Sequence, residues 1–331
     1  MSTADKLNKL LETKQAIKQA IIDKGVEVTD DTKFADYPSK IASIESGSSS
    51  GGGDPYYEEL HNNRTNNGAN FNYYFYYYPN TELDVSKLDT SKATSMNNMF
   101  TNSTSLTSIN GIESMNVSNV SDANGMFNTC SSLSTLDLSG WNTSKIASAN
   151  AMFQNCSGLT SLNVSGWDTS KVENMGDMFN GCIGLTSLDL SNFDTSNVTN
   201  MNYMFSCMQS SNLLKLDLSN FNTSKVTNMY GMFNWCIYLQ ELDIRNFELV
   251  HEDGTMAEIS SMLEGCNSLH TLRLDNCSKA TISKIINESG MPQEQVYDYS
   301  INENVNRKMY CKASEIGDLV APNGWEFVTI E

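Results

Sequence analysis

The sequence predicts an α/β repeat solenoid of about 26-residue coils with a parallel sheet along one face. A helical N-terminal anchor precedes it, and a small α+β cap closes its C-terminal end. Three observations carry this expectation: a motif recurring at near-constant spacing, a short alternating segment opening each copy, and large side chains returning at fixed phases.

The clearest copies begin at Leu136, Leu162, Leu188, Leu216 and Leu242, so successive starts lie 26, 26, 28 and 26 residues apart. More degenerate copies begin at Leu83 and Ile109, and a last strand begins at Leu272. Units of this length cannot bury an apolar face alone and must stack. In the copy Leu185-x-x-Leu188-x-Leu190, the alternation predicts a short strand with Leu188 and Leu190 inward and Asp189 outward. Asp194-Thr195-Ser196 suits an Asx turn. Met201 to Phe205 predicts one helical or 3₁₀ turn on the opposite side.

Stacking aligns like residues. One column holds Trp141, Trp167, Phe193, Phe221 and Phe247; a second holds Phe100, Phe127, Phe153, Phe179, Phe205 and Phe233, each preceded by Met. Periodicity assigns these to a core rather than to a cofactor site. Cys130, Cys156, Cys182, Cys236 and Cys266 share one phase, and Cys207 is displaced by one. No C-x₂-C pair is present, so buried reduced thiols are expected rather than metal ligands; disulfides between adjacent coils are the weaker alternative.

The motif L-x-x-L-D-L-S-x-[FW]-[DN]-T-S-x-V-x-x-M-x-x-M-F-x-x-C resembles the BspA-type leucine-rich repeat, a domain of unknown function of mycoplasma lipoproteins and gut-bacterial surface proteins. The resemblance spans roughly residues 83 to 277. It implies a leucine-rich-repeat-like solenoid used in adhesion, with no enzymatic activity. The ends resemble something else. The segment Asp5 to Tyr37, and Arg307 to Lys312 with Ala321 to Phe327, are similar to segments of virion proteins, fibre and tail types among them, of phages of gut Bacteroidales, including crAss-like phages.

The remaining elements follow in order. Residues 1–45 read as a helical anchor or oligomerisation segment, with Leu7, Leu10, Leu11, Ile17 and Ile21 as its apolar stripe and a second short helix over Phe34 to Ile44. So little chain buries a marginal core, so it is expected to form a dimer or trimer with its own copies, to dock on other virion proteins, or to fold back as a hairpin on the solenoid. Residues 46–55 read as a Gly/Ser linker spanning ~15 Å. Residues 56–82 read as a Tyr-rich cap coil, with Tyr73 to Tyr78 in the phase of a Met-Phe-x-x-Cys segment and some rings available to bind sugar or protein. Residues 83–277 form the repeats. Residues 278–331 form the cap: a helix through Ile282, Ile285 and Ile286, then strands at Lys308 to Lys312 and Trp325 to Ile330 around a short helix near Ser314 to Leu319.

Chemistry is sparse. There are three histidines, His61, His251 and His270; His251 lies in His251-Glu-Asp-Gly254, where a solvated loop or a metal ligand set are the two readings. No nucleophile signature, phosphate-binding Gly loop or cofactor motif occurs. The candidate ligand face is the outward strand row Asp84, Asp137, Asn163, Asp189, Asp217 and Asp243. Stacked like charges there need solvent, lysines or bound cations to offset them. With 39 acidic against 21 basic residues and a net charge of -18, nucleic acid is an unfavourable partner. No stretch reaches the ~18 apolar residues of a membrane span, and the N-terminal residues carry no secretory leader pattern.

The expected function is a phage virion protein, a head or tail fibre or decoration, whose repeats bind a host-surface protein or glycan, including mucosal polymers. A BspA-type bacterial surface adhesin is the alternative, and a polysaccharide-acting enzyme, which needs a singular carboxylate pair, ranks last.

Overall fold

The computed structural model describes residue 17 and residues 70–209, 213–298 and 303–331. The Gly/Ser linker, the second N-terminal helix and most of the anchor lie outside the described residues. Of the anchor stripe only Ile17 is described, in helical conformation, and one residue defines no element.

The strand segments are three residues long wherever they form: β1 (Glu82–Asp84), β2 (Ser108–Asn110), β3 (Thr135–Asp137), β4 (Ser161–Asn163), β5 (Lys215–Asp217), β6 (Glu241–Asp243) and β7 (Thr271–Arg273). They pair in parallel and in phase, Leu136 across from Leu162 and Leu216 across from Leu242, which in turn faces Leu272. The sheet is interrupted. β1 pairs with β2 and β3 with β4, while β5, β6 and β7 belong to a separate sheet. The copy containing Leu188 forms no strand. Leu190 is buried and Asp189 exposed as expected, but Leu188 is only half-buried. This copy lies between a 26- and a 28-residue spacing, and neither neighbouring strand pairs with it. Between β2 and β3 the extra residue is Gly111, at φ +80 ahead of the 3₁₀ turn Ile112–Ser114.

The uninterrupted ladder runs along the opposite side. Single parallel bridges link Asn70, Ser95, Asp122, Ser148, Asn174, Asn200, Asn228 and Glu258, one per coil. Here the expected helical turn is absent, and the Met201 to Phe205 segment is a ribbon of tight turns. Some N–H groups bond three residues back, as Met204 does to Met201 (3.2 Å). Alternate ones donate to the next coil, as Met201, Tyr203 and Phe205 do to the carbonyls of Asn228, Tyr230 and Met232 at 2.8–2.9 Å. Every fourth residue takes a positive φ, for example Ala151 and Asn155, then Tyr203 and Cys207. A helix would satisfy its donors within itself; the stack instead offers each coil a row of neighbouring carbonyls. Those bonds offset the roughly 1–2 kcal/mol that a left-handed non-glycine residue costs.

Each coil turns at stations where a short polar side chain accepts the N–H two residues on, the Asx geometry. In one coil these are Asn163 to Ser165 (3.2 Å), Asp168 to Ser170 (3.0 Å) and Asn174 to Gly176 (3.0 Å). Buried threonines tie coil to coil. Thr195 Oγ1 donates to the Asn222 carbonyl and accepts from its N–H, at 2.9 and 2.8 Å.

The core is one continuous cluster. Phe75, Phe100, Phe127, Phe153, Phe179, Phe205 and Phe233 stack ring on ring at 5.2–5.8 Å and within 14° of parallel. Trp141, Trp167 and Phe193 stack likewise at 6.3–6.4 Å. Phe75 belongs to the Tyr-rich segment, which stacks as a coil: Phe75 N–H donates to the Met99 carbonyl at 2.7 Å.

At the C-terminal end, α1 (Lys279–Glu288) buries Ile282 and Ile285 against the last coil. A hairpin follows, β8 (Val296–Asp298) with β9 (Glu303–Val305). Then β10 (Arg307–Lys312) and β11 (Trp325–Ile330) extend the β5–β6–β7 sheet in parallel, in the order β11-β10-β7-β6-β5. The intervening helix α2 (Ala313–Ile316) is shorter and earlier than the sequence suggests. Among the described residues no helix is long and apolar enough to cross a membrane.

Candidate functional site

The outward strand row predicted from the sequence is outward, and each member has local work. Asp84, Asp137, Asn163, Asp189 and Asp217 accept the backbone N–H of Ser86, Ser139, Ser165, Ser191 and Ser219 at 2.8–3.2 Å. Asp243 does the same for Arg245 at 3.2 Å. The hydroxyl of Ser139, then its N–H, holds the Asp137 carboxyl below the usual carboxylate range. Ser219 does so for Asp217.

Like charges meet less often than the pattern suggests. In β1–β2 the partner of Asp84 is Asn110, and in β3–β4 the partner of Asp137 is Asn163. Only Asp217 and Asp243 face each other directly. There the offset comes from arginine. Asp243-Ile-Arg245 on one coil lies beside Arg273-Leu-Asp275 on the next, with the charges swapped. Arg245 pairs with Asp243 and, at 3.7 Å, with Asp275. Arg273 pairs with Asp275 and, at 3.7 Å, with Asp243. The hydrogen bond to Asp243 raises the Arg245 pKa. Arg273 also lies over the Tyr310 ring at 5.3 Å. This square of charge is readable in the sequence as a D-x-R copy followed by an R-x-D copy, which the row of aspartates alone does not reveal.

The His251 loop is a small hairpin closed by a Val250–Met256 bridge. His251 Nδ1 lies 3.0 Å from Thr255 Oγ1, and Asp253 accepts the Thr255 N–H at 2.9 Å. The carboxylates do not converge on the imidazole. Among the described residues no three His, Cys, Asp or Glu side chains are arranged to hold a metal.

The thiols form a column inside the core. Cys130, Cys156, Cys182, Cys236 and Cys266 each donate S–H to the carbonyl of the aromatic residue of the preceding coil, Phe100, Phe127, Phe153, Phe205 and Phe233, at 2.9–3.2 Å. All eight cysteines are free. Burial pushes the Cys156 and Cys266 thiols up to about 12 and raises those of Cys130, Cys182 and Cys236 as well. Such thiols are inert as nucleophiles. Cys207, one residue out of phase, is half-exposed, and Met208 fills its place in the column.

The sequence offered the Tyr73 to Tyr78 rings for binding, but the exposed rings toward the other end of the stack were missed. Tyr73, Tyr77, Tyr230, Trp235 and Tyr238 stand 38–50% accessible. Tyr73 and Tyr77 sit on the ribbon beside the buried Phe75, and Trp235 directly precedes the column thiol Cys236. The signal was a large ring at phases that other copies fill with Asn, Gly, Thr or Ala.

Comparison with known proteins adds three findings. The family described as "Mycoplasma protein of unknown function, DUF285" matches residues 69–183 and 159–277, more than half of the chain. No curated protein matches. Among solved structures, a leucine-rich cell surface protein from Faecalibacterium prausnitzii aligns at 13% identity over 56% of this chain and 71% of that one, with a TM-score of 0.22.

Proposed function

The chain belongs to the DUF285 family, and from that premise we propose that it is a non-catalytic binding protein, a leucine-rich-repeat-type solenoid displayed at a surface to hold host-surface or mucosal polymers. One observation carries this reading. The sulfur and aromatic side chains at repeat phases are consumed by the core, while the outward polar groups recur as near-identical stations from coil to coil. Binding to an extended polymer needs such repetition, whereas hydrolysis needs one singular acid–base pair.

Two finer settings fit. In the first, the chain is a virion protein, a head or tail fibre or capsid decoration, joined to other virion proteins and to its own copies through residues 1–45; the similarity of both ends to phage virion segments supports it. In the second, it is a bacterial surface adhesin of the BspA type, which the family match favours equally. The acidic strand row, Asp84 to Asp243, remains one candidate contact face.

Beads coated with the full chain should be retained on mucin-coated or host-cell-wall-coated surfaces above beads carrying an unrelated acidic protein. The bound polymer should gain no reducing ends. Failure of retention removes the binding role, and new reducing ends remove the non-catalytic one. Separately, the mass of the chain in solution should correspond to a dimer or trimer and fall to a monomer when residues 1–45 are removed.

A further inference from the structure

The strand face and the ribbon face are built differently. On the strand face, the outward Asp and Asn row is engaged in turns, and toward the C-terminal end arginines pair with it. On the ribbon face, the periodic background is small and polar, and large rings interrupt it at two places. At the N-terminal end stand Tyr73, Tyr76 and Tyr77, with ring centroids 5.3 and 4.5 Å apart. Toward the other end stand Tyr203 and Tyr230, edge to face at 5.2 Å, with Trp235 and Tyr238 following.

These rings are held, not trailing. Tyr73, Tyr77, Tyr203 and Trp235 all occupy positive-φ positions. Tyr203 lies against Gly231 of the next coil, where an added Cβ would come within 2.5 Å of the ring. Trp235 lies against Gly265, where a Cβ would come within 3.1 Å of it. A glycine therefore sits under each of these two rings and leaves it room, so the platforms are preformed.

Between the clusters the surface is an open trough of about 410 Å³, with Thr129, Asn155, Gly181 and Cys207 along one side. The same coils carry a half-buried row of amides and a carboxylate: Asn128 donates to Gln154 at 2.7 Å, and Gln154 and Asn180 donate to Asp177 at 3.3 and 2.8 Å. From the coil of Tyr77 to that of Trp235 are six steps, about 29 Å at the usual spacing of adjacent strands.

Charge narrows the occupant. No Lys, Arg or His occurs in the ribbon segments 70–78, 96–103, 122–130, 148–156, 174–182, 200–208 or 228–236. A face without cations on a chain of net charge -18 repels sulfated, sialylated or phosphorylated polymers. Its alternate N–H groups already bond the neighbouring coil, so it offers no free edge to a peptide strand. Aromatic faces for C–H stacking and amide or carboxylate groups for hydroxyls are what remain.

Resting on the binding role proposed above, we propose that the ribbon face is a cradle for a neutral, hydroxyl-rich glycan chain. The glycan stacks at its two ends on Tyr73 and Tyr77 and on Tyr230, Trp235 and Tyr238, and hydrogen-bonds between them to the Gln154–Asp177 row. The test is affinity electrophoresis of the full chain through gels containing a soluble β-glucan, a mannan or a xylan, with polygalacturonate and heparin as anionic probes. At least one neutral polymer should retard the chain, and neither anionic one should. Trp235→Gly and Tyr77→Asn install residues that their columns already carry at 181 and 155, so the coils are preserved; each should weaken retardation at least tenfold. Glu326→Gln, exposed on β11, should leave it unchanged, and Asp137→Asn tests the strand face in parallel.

Retardation by none of the neutral polymers overturns the cradle, as does equal retardation of Trp235→Gly and the parent. Loss on Asp137→Asn moves the site to the strand face. If coated beads hold a glycan-free protein surface and Trp235→Gly releases them, the occupant is a protein and the glycan assignment fails. In these cases the binding role survives, because it falls only if the beads hold no surface at all.

Discussion

The buried thiol column makes this protein sensitive to alkali in a way that can be calculated. Cys156 and Cys266 have thiol pKa values pushed to about 12 by burial, and Cys130, Cys182 and Cys236 are raised for the same reason. A group whose folded pKa is raised contributes stability that is fully present below its unfolded pKa and lost as pH rises toward the folded value. An unfolded thiol titrates at about 8.5, so the loss begins there and continues to about pH 12. By pH 10 Cys156 and Cys266 have each lost roughly 1.5–2 kcal/mol, about 3–4 kcal/mol together and a large part of the roughly 5–15 kcal/mol that holds a typical fold together. The other column thiols act in the same direction. The double variant Cys156→Ala, Cys266→Ala separates this from other alkaline titrations. At pH 7.5 it should be less stable than the parent by about 2 kcal/mol, about 1 for each small core deletion. It also escapes roughly 3–4 kcal/mol of the alkaline loss, so the two stability curves should cross between about pH 9 and 10. Urea unfolding followed by far-ultraviolet circular dichroism at several pH values measures both. Parallel curves, with the variant below the parent throughout, would refute the reasoning.

Three further outcomes are expected. Gly111 has φ +80 and an added Cβ would come within 2.7 Å of the Ser86 backbone, whereas Gly254 at φ +85 has nothing within 4 Å; in urea titrations Gly111→Ala should cost upwards of about 2 kcal/mol and Gly254→Ala about 1. Thr195→Val keeps the shape but removes the buried hydroxyl that bonds both the carbonyl and the N–H of Asn222, and should cost about 1–2 kcal/mol by the same measurement. At the acid end, carboxyls lowered by their turn hydrogen bonds, such as Asp137 and Asp217, contribute stability present above their unfolded value and lost as pH falls through the folded one. Stability should therefore decline below about pH 4, and less steeply in Asp137→Asn.

Much of the interior was legible because packing is periodic and so is the sequence. Every column of Phe, Trp, Met and Cys read from spacing is buried. The ribbon was not legible. Met at i and i+3 with Phe at i+4 fits one helical turn as well as a turn ribbon, and what decides is a row of carbonyls on the next coil, which no single copy contains. Leu188 carries the same letters as Leu162 and Leu216, yet its copy joins no ladder, and nothing in those letters marks the difference. The strand-row aspartates were legible as outward but not as turn caps, because the N–H they accept lies two residues on in the same coil.

The same reasoning locates where selection for a ligand could act. A residue repeated in every copy is fixed by its neighbours above and below, since a change in one coil leaves a hole or a clash in two. Its presence therefore reports on stacking, as the thiols and the phenylalanines do. A residue that departs from its column is free of that constraint, and a large ring left exposed there is not explained by stacking. Trp235 and Tyr77 depart from a column of Asn, Gly, Thr and Cys, with the ring about half exposed. Their positive φ and their N–H bonds to the next coil are those of the whole column, so the conformation is ordinary and only the exposed ring is not. Packing explains the rest of the ribbon, which leaves these rings as the candidate recognition surface. Replacing them with their column residues should therefore leave stability unchanged or raise it while binding falls. A loss of stability on Trp235→Gly would instead mark the ring as a structural prop.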